Sequence, residues 1–175
     1  MPDPPAHPGI ERASSIKILG IIIDSKLKFH ENTTQTVSTC NRSLYALRIL
    51  RQQGLSEAML RQVFKDIVLS KLLYASQAWF GFLHKSSLDL YETLLRRAKR
   101  FGYYGPTEPS AEELFTDVDS KLFNKVQINE YHILHTQLPS KKVTHYNLRP
   151  KSHGRLLPEK DNRNFFNRML YLSIY

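Results

Sequence analysis

Residues 44–60, LYALRILRQQGLSEAML, decide the fold because they hold the end of one helix and the start of the next. Apolar residues recur here at three- and four-residue spacing, which predicts helices over about 30–53 and 56–80. Gly54 suits the left-handed position after a helix, and Ser56 is a favourable N-cap. So short a link predicts that the two helices pack antiparallel. The expected buried residues are Val37, Cys40, Leu44, Leu47 and Leu50 in the first helix, and Leu60, Phe64, Ile67, Tyr74 and Ala78 in the second.

Two further helices follow along the chain. The third, at about 86–102, separates an apolar face from a charged face whose basic residues lie toward its C-terminus, as the helix dipole prefers. Ser110 and Glu113 then form a capping-box pattern, and a fourth helix is expected over about 119–137. Its predicted apolar positions are Leu122, Val126, Tyr131, Ile133 and Leu134.

The N-terminal stretch 14–29, SSIKILGIIIDSKLKF, has the composition of a buried strand. Its β-branched run at 16–23 is broken by Gly20 and closed by a turn at Asp24-Ser25. Such a strand needs a partner, either a short strand near 26–29 or the helices. The expected fold is therefore mainly α: an antiparallel helical bundle with a short N-terminal β-strand or hairpin and an irregular basic C-terminal tail. The expected divisions are a disordered proline-rich lead (1–13), the strand or hairpin (14–29), a helical domain (30–139), and a tail (140–175) whose apolar end docks on the helices.

The 175-residue chain carries a formal net charge of +9, which favours an anionic partner. No signal peptide or membrane-spanning run is recognisable, so we expect a soluble, intracellular protein, with nucleus and cytoplasm not distinguished. The carboxylates are scattered, Cys40 is the single cysteine, and His132 and His135 lack partner ligands. The sequence therefore predicts no metal, no cofactor and no enzymatic activity.

The basic end of the third helix, LLRRAKRFGYYG (94–105), has two explanations that the sequence leaves open. Bases near a helix C-terminus stabilise the helix by themselves. Alternatively, they form a cationic ridge that contacts phosphates, with Tyr103 and Tyr104 beside it as stacking groups. Trp79 and Tyr74 are expected to serve packing, because both continue an apolar helical face.

Several segments together resemble the reverse transcriptases of non-LTR (LINE-type) retrotransposons. KILGIIIDSKLKF (17–29) is similar to the family's K-x-L-G-hydrophobic-x-hydrophobic-D-x-x-L-x-F hairpin, which leaves the catalytic palm and leads into a helical thumb. LSKLLYASQAWFGFL (69–83) resembles its Y-A-x-x-x-W helix end, and RRAKR (96–100) and the segment 144–171 follow in the family's order. The resemblance covers about 10–175. The family's catalytic Tyr-x-Asp-Asp and second metal-binding Asp lie upstream of this hairpin. The resemblance therefore implies a remnant without catalytic residues, an orphan palm strand, and a Met1 that marks where a gene model or decayed insertion begins.

By this resemblance the chain is expected to be a thumb-like module that grips the backbone of an RNA–DNA hybrid or duplex, weakly, salt-sensitively and without sequence specificity. The residues expected to bind nucleic acid are Arg96, Arg97, Lys99 and Arg100, then Arg42, Arg48 and Arg51, then Lys141, Lys142, Arg149, Lys151 and Arg155 in the tail.

Two alternatives come from other classes. One is a helical protein-interaction module whose charges serve solubility. The other follows from residues 29–81, which also look like the N-terminal domain of the eighth AlkB homologue, a tRNA-modifying dioxygenase and methyltransferase. In that case the catalytic parts are missing, since this sequence has neither an iron triad nor a Gly-rich loop for S-adenosylmethionine.

Overall fold

A computed structural model describes residues 9, 13–142 and 153–173. The described chain is mainly helical, with one two-stranded antiparallel sheet at its N-terminus. The strands are β1 (Ser15–Ile18) and β2 (Ile21–Asp24). The helices are α1 (His30–Gln52), α2 (Glu57–Val63), α3 (Ser70–Leu73), α4 (Ser76–Trp79), α5 (Lys85–Arg100), α6 (Ala111–Ile128) and α7 (Phe165–Leu172), with a π-helical segment at Phe64–Leu69 and 3₁₀ turns at Phe80–Phe82 and His135–Gln137.

The apolar run at 16–23 forms a hairpin, so the prediction of a single strand over these residues is wrong. Ile18 pairs with Ile21 across a two-residue turn. Both turn residues, Leu19 and Gly20, have positive φ angles of 49° and 89°, the conformation that suits the twist of a tight hairpin. The partner strand is therefore β2 itself, and not a strand near 26–29.

Only one strand of this hairpin lies against the helices. Ile21 and Ile23 of β2 pack on the main core, whereas Ile16 and Ile18 of β1 are exposed. The Ile22 N–H donates to the Asn32 side chain at 3.2 Å, which ties β2 to α1. The sequence suggested that the whole apolar run is buried, but β2 is only partly buried and β1 is mostly exposed.

The junction between the first two helices agrees with the prediction. α1 ends at Gln52, and Gly54 has a φ of 89°. The Ser56 hydroxyl accepts the Met59 N–H at 3.4 Å, which caps α2. Cys40 on α1 lies against the Val68 carbonyl, with Sγ 3.9 Å from its oxygen, so the chain after the turn runs back along α1.

The buried face of the second helical segment differs from the prediction. The π-helical turns place more residues in each turn, which moves Val68 into the core and leaves Ile67 half exposed. The helix then ends at Leu73, because Ala75 takes a left-handed conformation with a φ of 50°. Tyr74 is consequently 54% exposed, and Ala78 is exposed as well. The residues that are buried here are Leu60, Phe64, Val68 and Leu72.

The last long helix starts and stops earlier than predicted. The capping box is present: the Ser110 hydroxyl accepts the Glu113 N–H at 3.3 Å, and the Glu113 carboxylate accepts the Ser110 N–H at 2.7 Å. α6 therefore begins at Ala111 and ends at Ile128, not at about 119 and 137. Tyr131 and Ile133, expected on its apolar face, are 98% and 85% exposed in the segment that follows.

Two apolar clusters hold the described residues together. The main one is centred on aromatic rings: Phe115 lies 5.4 Å from Trp79 and 5.3 Å from Tyr91, measured between ring centroids. The prediction that Trp79 serves packing is thus confirmed, and the same prediction for Tyr74 is wrong. A second cluster of Phe123, Met169 and Leu170 joins α7 to α6.

Candidate nucleic-acid interface

Helices α1 and α5 lie side by side and run in the same direction. Near their starts, His30 Nδ1 is 3.2 Å from Ser87 Oγ, and further along both helices Arg97 Nη1 donates to Asn41 Oδ1 at 2.8 Å. This pairing brings together basic residues that lie about fifty positions apart in the sequence. The predicted binding residues on these two helices are Arg42, Arg48 and Arg51 on α1 and Arg96, Arg97, Lys99 and Arg100 on α5.

A groove follows the line where α1 meets α5. Its deeper part, of about 580 Å³, is lined by Arg48, Arg51 and Arg97. An adjoining part of about 750 Å³ is lined by Arg42, and the two parts share Asn41 and Tyr45. No carboxylate is among the described residues that line either part. We call this surface the arginine groove: Asn41, Arg42, Tyr45, Arg48, Arg51 and Arg97.

Arg51 has a structural role within the groove. Its guanidinium donates to the Phe101 carbonyl and lies 4.5 Å from the centroid of the Tyr103 ring. The last carbonyls of a helix lack intrahelical partners, and a cation placed there also opposes the helix dipole. Arg61 does the same at the Gly102 carbonyl, 3.1 Å away. Arg51 therefore stabilises the end of α5, which leaves Arg42, Arg48 and Arg97 as the groove residues better placed for a ligand.

Lys99 does not face the groove. Its ammonium group donates to the carbonyl oxygens of Glu108 at 2.7 Å and Pro106 at 3.2 Å, in the loop before α6. It also lies 5.4 Å from the centroid of the Tyr104 ring. Lys99 thus holds the loop against α5, and the prediction that it belongs to one ridge with its basic neighbours is wrong. Arg96 and Arg100 are exposed on α5.

The aromatic residues available for stacking are not the predicted ones. Tyr103 and Tyr104 are each only 1% exposed. Burial raises the pKa of Tyr104 to about 12, and its hydroxyl donates to the Pro109 carbonyl at 2.9 Å. Neither ring can therefore stack on a base. Among the residues that line the groove the most exposed ring is Tyr45, at 66%, which sequence reasoning missed although it directly follows the buried Leu44 on α1.

The basic residues of the C-terminal part lie in a different place. Lys141 and Arg155 form an isolated antiparallel bridge, and the Arg155 guanidinium donates to the Pro139 carbonyl at 2.8 Å. Lys142 is exposed, and its N–H donates to the Gly154 carbonyl at 2.8 Å. Arg149 and Lys151 lie outside the described residues, as does most of the lead 1–13.

Comparisons with protein-family models, curated proteins and solved structures find no match to this chain. Across the described ranges, no three side chains of His, Cys, Asp or Glu come together as metal ligands would. None of the helices in that part of the chain combines the length and the apolar composition needed to cross a bilayer.

Proposed function

We propose that this chain is a thumb-like module of a LINE-type reverse transcriptase remnant, which binds the backbone of an RNA–DNA hybrid or duplex without sequence specificity. In this proposal the helices act as a bundle with a basic tail. The chain after α1 runs back along that helix while α5 runs parallel to it, so the expected antiparallel order does not extend to α1 and α5. The proposed module itself carries no catalytic site. The observation that supports it best is the arginine groove, where arginines from two helices line one surface around the exposed Tyr45.

The physical basis is charge and shape. A guanidinium group can donate two parallel hydrogen bonds to a phosphate, and phosphate contacts position a nucleic acid without reading its bases. Each phosphate neutralised on duplex DNA changes the slope of log affinity against log salt by about −0.9. Contacts from Arg42, Arg48 and Arg97 would together contribute a slope of about −2.7.

The test is a salt titration of the full chain against an RNA–DNA hybrid, duplex DNA and single-stranded RNA, each in two unrelated sequences. The variant Arg42→Gln/Arg48→Gln/Arg97→Gln removes the groove charges. A matched control, with Lys71, Lys121 and Lys125 changed to Gln, removes the same charge from exposed positions that do not line the groove. Circular dichroism checks that both variants keep their helices.

We expect the groove variant to lose most of its affinity and most of the salt slope, and the control to lose little. The two sequences of each duplex should bind equally, because backbone contacts carry no base information. Equal losses in both variants would mean that binding reflects net charge alone. No binding by the folded parent chain at low salt would refute the proposal.

A second candidate function is a protein-interaction module, and a separate observation favours it. Ile128 at the end of α6 and Tyr131 and Ile133 in the segment after it are exposed, and large apolar side chains exposed together often mark a contact surface. A partner held there would bind with little dependence on salt and would be lost on changing Tyr131 and Ile133 to Ser. The groove variant would leave that interaction unchanged.

A further inference from the structure

A second cationic pocket lies at the other end of α1 and α5, where both helices begin. It has a volume of about 580 Å³ and is bounded by the loop after β2, the starts of the two helices, and the segment before α7. We call it the lysine pocket, after the basic residues that line it: Lys26, Lys28, His30, His84 and Arg163. Its described lining contains no carboxylate.

The loop that carries the two lysines is held by Asp24. The Asp24 carboxylate accepts the N–H groups of Lys26 at 2.8 Å, Lys28 at 3.1 Å and Phe29 at 3.0 Å. Leu27 and Phe29 both adopt left-handed backbone conformations, with φ of 53°. The Asp24 oxygens are therefore directed at the backbone, and the positions of Lys26 and Lys28 are set before any ligand arrives.

The cations of this pocket are only partly balanced by neighbouring charge, since the Asp24 carboxylate lies near Lys28 and interacts with it electrostatically. Lys26, Lys28 and Arg163 are exposed, and none of them is ion-paired with a carboxylate of the described residues. Three positive charges facing one concave space repel each other, so an anion that enters gains attraction from all three.

The polar groups of the pocket can also donate hydrogen bonds. His84 Nδ1 accepts the Ser86 N–H at 3.3 Å as the N-cap of α5. In the neutral imidazole the proton therefore sits on Nε2, which is a donor. The Ser86 hydroxyl lies 2.9 Å from the same Nδ1 and donates to it, so the remaining donors of the pocket are the charged groups of the lysines and Arg163. A group with three acceptor oxygens and a double negative charge matches this donor set.

We propose that the lysine pocket binds a phosphate monoester, either the terminal phosphate of a nucleic acid or a free nucleotide. It is separate from the arginine groove: Arg48 lies eighteen positions after His30 on α1, about 27 Å along the helix. At 3.4 Å per step, a duplex lying along α1 would cover this distance in about eight base pairs. The proposal holds whether or not the groove binds nucleic acid.

The experiment titrates the full chain with adenosine 5′-monophosphate, with adenosine as the uncharged control, and follows backbone amide signals by nuclear magnetic resonance. We expect the monophosphate alone to shift the signals of Lys28 and His30. The variant Lys26→Gln/Lys28→Gln should weaken binding by at least about tenfold, because it removes two charged donors. The charge-matched control, Lys121→Gln/Lys125→Gln, should bind as the parent chain does.

The groove variant separates this proposal from the proposed function, because it should bind the monophosphate normally even if it no longer binds a duplex. A ten-base-pair duplex with a 5′-phosphate, compared with the same duplex bearing a 5′-hydroxyl, identifies the source. Tighter binding of the phosphorylated duplex assigns the pocket to a nucleic-acid end, and equal binding assigns it to a free nucleotide. Arg163→Gln, in the segment before α7 that also lines the pocket, is a second variant of the lysine pocket. Equal shifts with adenosine, or equal losses in the charge-matched control, would overturn the proposal.

Discussion

Replacing Asp119 by alanine should destabilise the protein by about 3–5 kcal/mol, the usual cost of leaving one member of a buried ion pair alone. Asp119 Oδ2 lies 2.6 Å from Arg168 Nη2, and the two side chains are only 1% and 10% exposed. The same guanidinium donates to the Asn162 carbonyl at 2.9 Å and lies 5.4 Å from the centroid of the Phe80 ring. Most of the guanidinium is covered by protein, and it also lines a surface pocket of about 650 Å³, so water can only partly replace the lost carboxylate.

The pair nevertheless adds little net stability. Burial raises the pKa of Asp119 more than the hydrogen bond and charge of Arg168 lower it, so the pKa lies above its ordinary value. Asp119 Oδ1 and Arg168 Nε also have no hydrogen-bond partner among the described residues. An apolar pair of similar size should therefore restore most of what the single change costs. We therefore expect Asp119→Leu/Arg168→Met to be nearly as stable as the parent chain, and Asp119→Ala to be much less stable than either.

The assay is urea unfolding, followed by circular dichroism, of the parent chain, Asp119→Leu, Arg168→Met and the double variant Asp119→Leu/Arg168→Met, with Asp119→Ala measured alongside. The four free energies of unfolding form a double-mutant cycle. We expect the double variant to be more stable than the sum of the single changes by at least about 2 kcal/mol, because each single change leaves a buried charge or polar group unpaired. If the loss of stability in the double variant equals the sum of the two single losses to within about 0.5 kcal/mol, the two groups do not interact and the reasoning is refuted.

Two further changes test how the C-terminal segment and α6 are held. Gly81→Ala should lower the free energy of unfolding in urea by about 1–3 kcal/mol, because a Cβ there would lie 2.5 Å from the Arg163 carbonyl oxygen. Gly105→Ala is the control, since a Cβ at that position meets only a flexible side chain. Equal effects of the two changes would count against close packing at Gly81. The backbone N–H and hydroxyl of Ser110 donate to the Glu113 carboxylate and lower its pKa below the ordinary 4.5. The ionised Glu113 side chain therefore contributes fully to stability above pH 4.5, and this contribution is lost as pH falls through the lowered pKa. Glu113→Gln should therefore lower Tm at pH 7 and match the parent chain near pH 2, and a constant difference at both pH values would exclude this linkage.

Local signals predicted the local features of this chain. The junction at Gly54 and Ser56 and the capping box at Ser110 depend on neighbours within one or two turns, so spacing and cap chemistry suffice. The predicted buried face of α1 is correct for Cys40, Leu44 and Leu47 and wrong for Leu50, which is 39% exposed at the end of the helix. Prediction was wrong where the helix period changed. The π-helical turns moved burial from Ile67 to Val68, and no single residue type marks that change in advance.

In the two candidate sites as well, some residues could be identified from the sequence, but their arrangement in space could not. The sequence identified the arginines of α1 and α5 as candidate ligands, but their convergence depends on two helices that pack side by side while about fifty residues apart. It could not show that Lys99 contacts carbonyl oxygens or that Tyr103 is buried, because both depend on how the chain after α5 packs. The lysine pocket was not predicted at all, since its walls come from three separate parts of the chain.

The sequence by itself determined the helical class, the positive charge and the boundaries of α1 and α5, since these follow from composition, periodicity and caps within short stretches. Only the tertiary structure decided which charges gather, which aromatic rings stay in water, and that the N-terminal run is a hairpin with one exposed strand. The physical reason is that burial and proximity depend on contacts between distant segments. A charged side chain can remain in water, contact a carbonyl oxygen or face a groove at a similar free energy, as far as its sequence neighbours are concerned. The packing of distant segments determines which of these positions it takes.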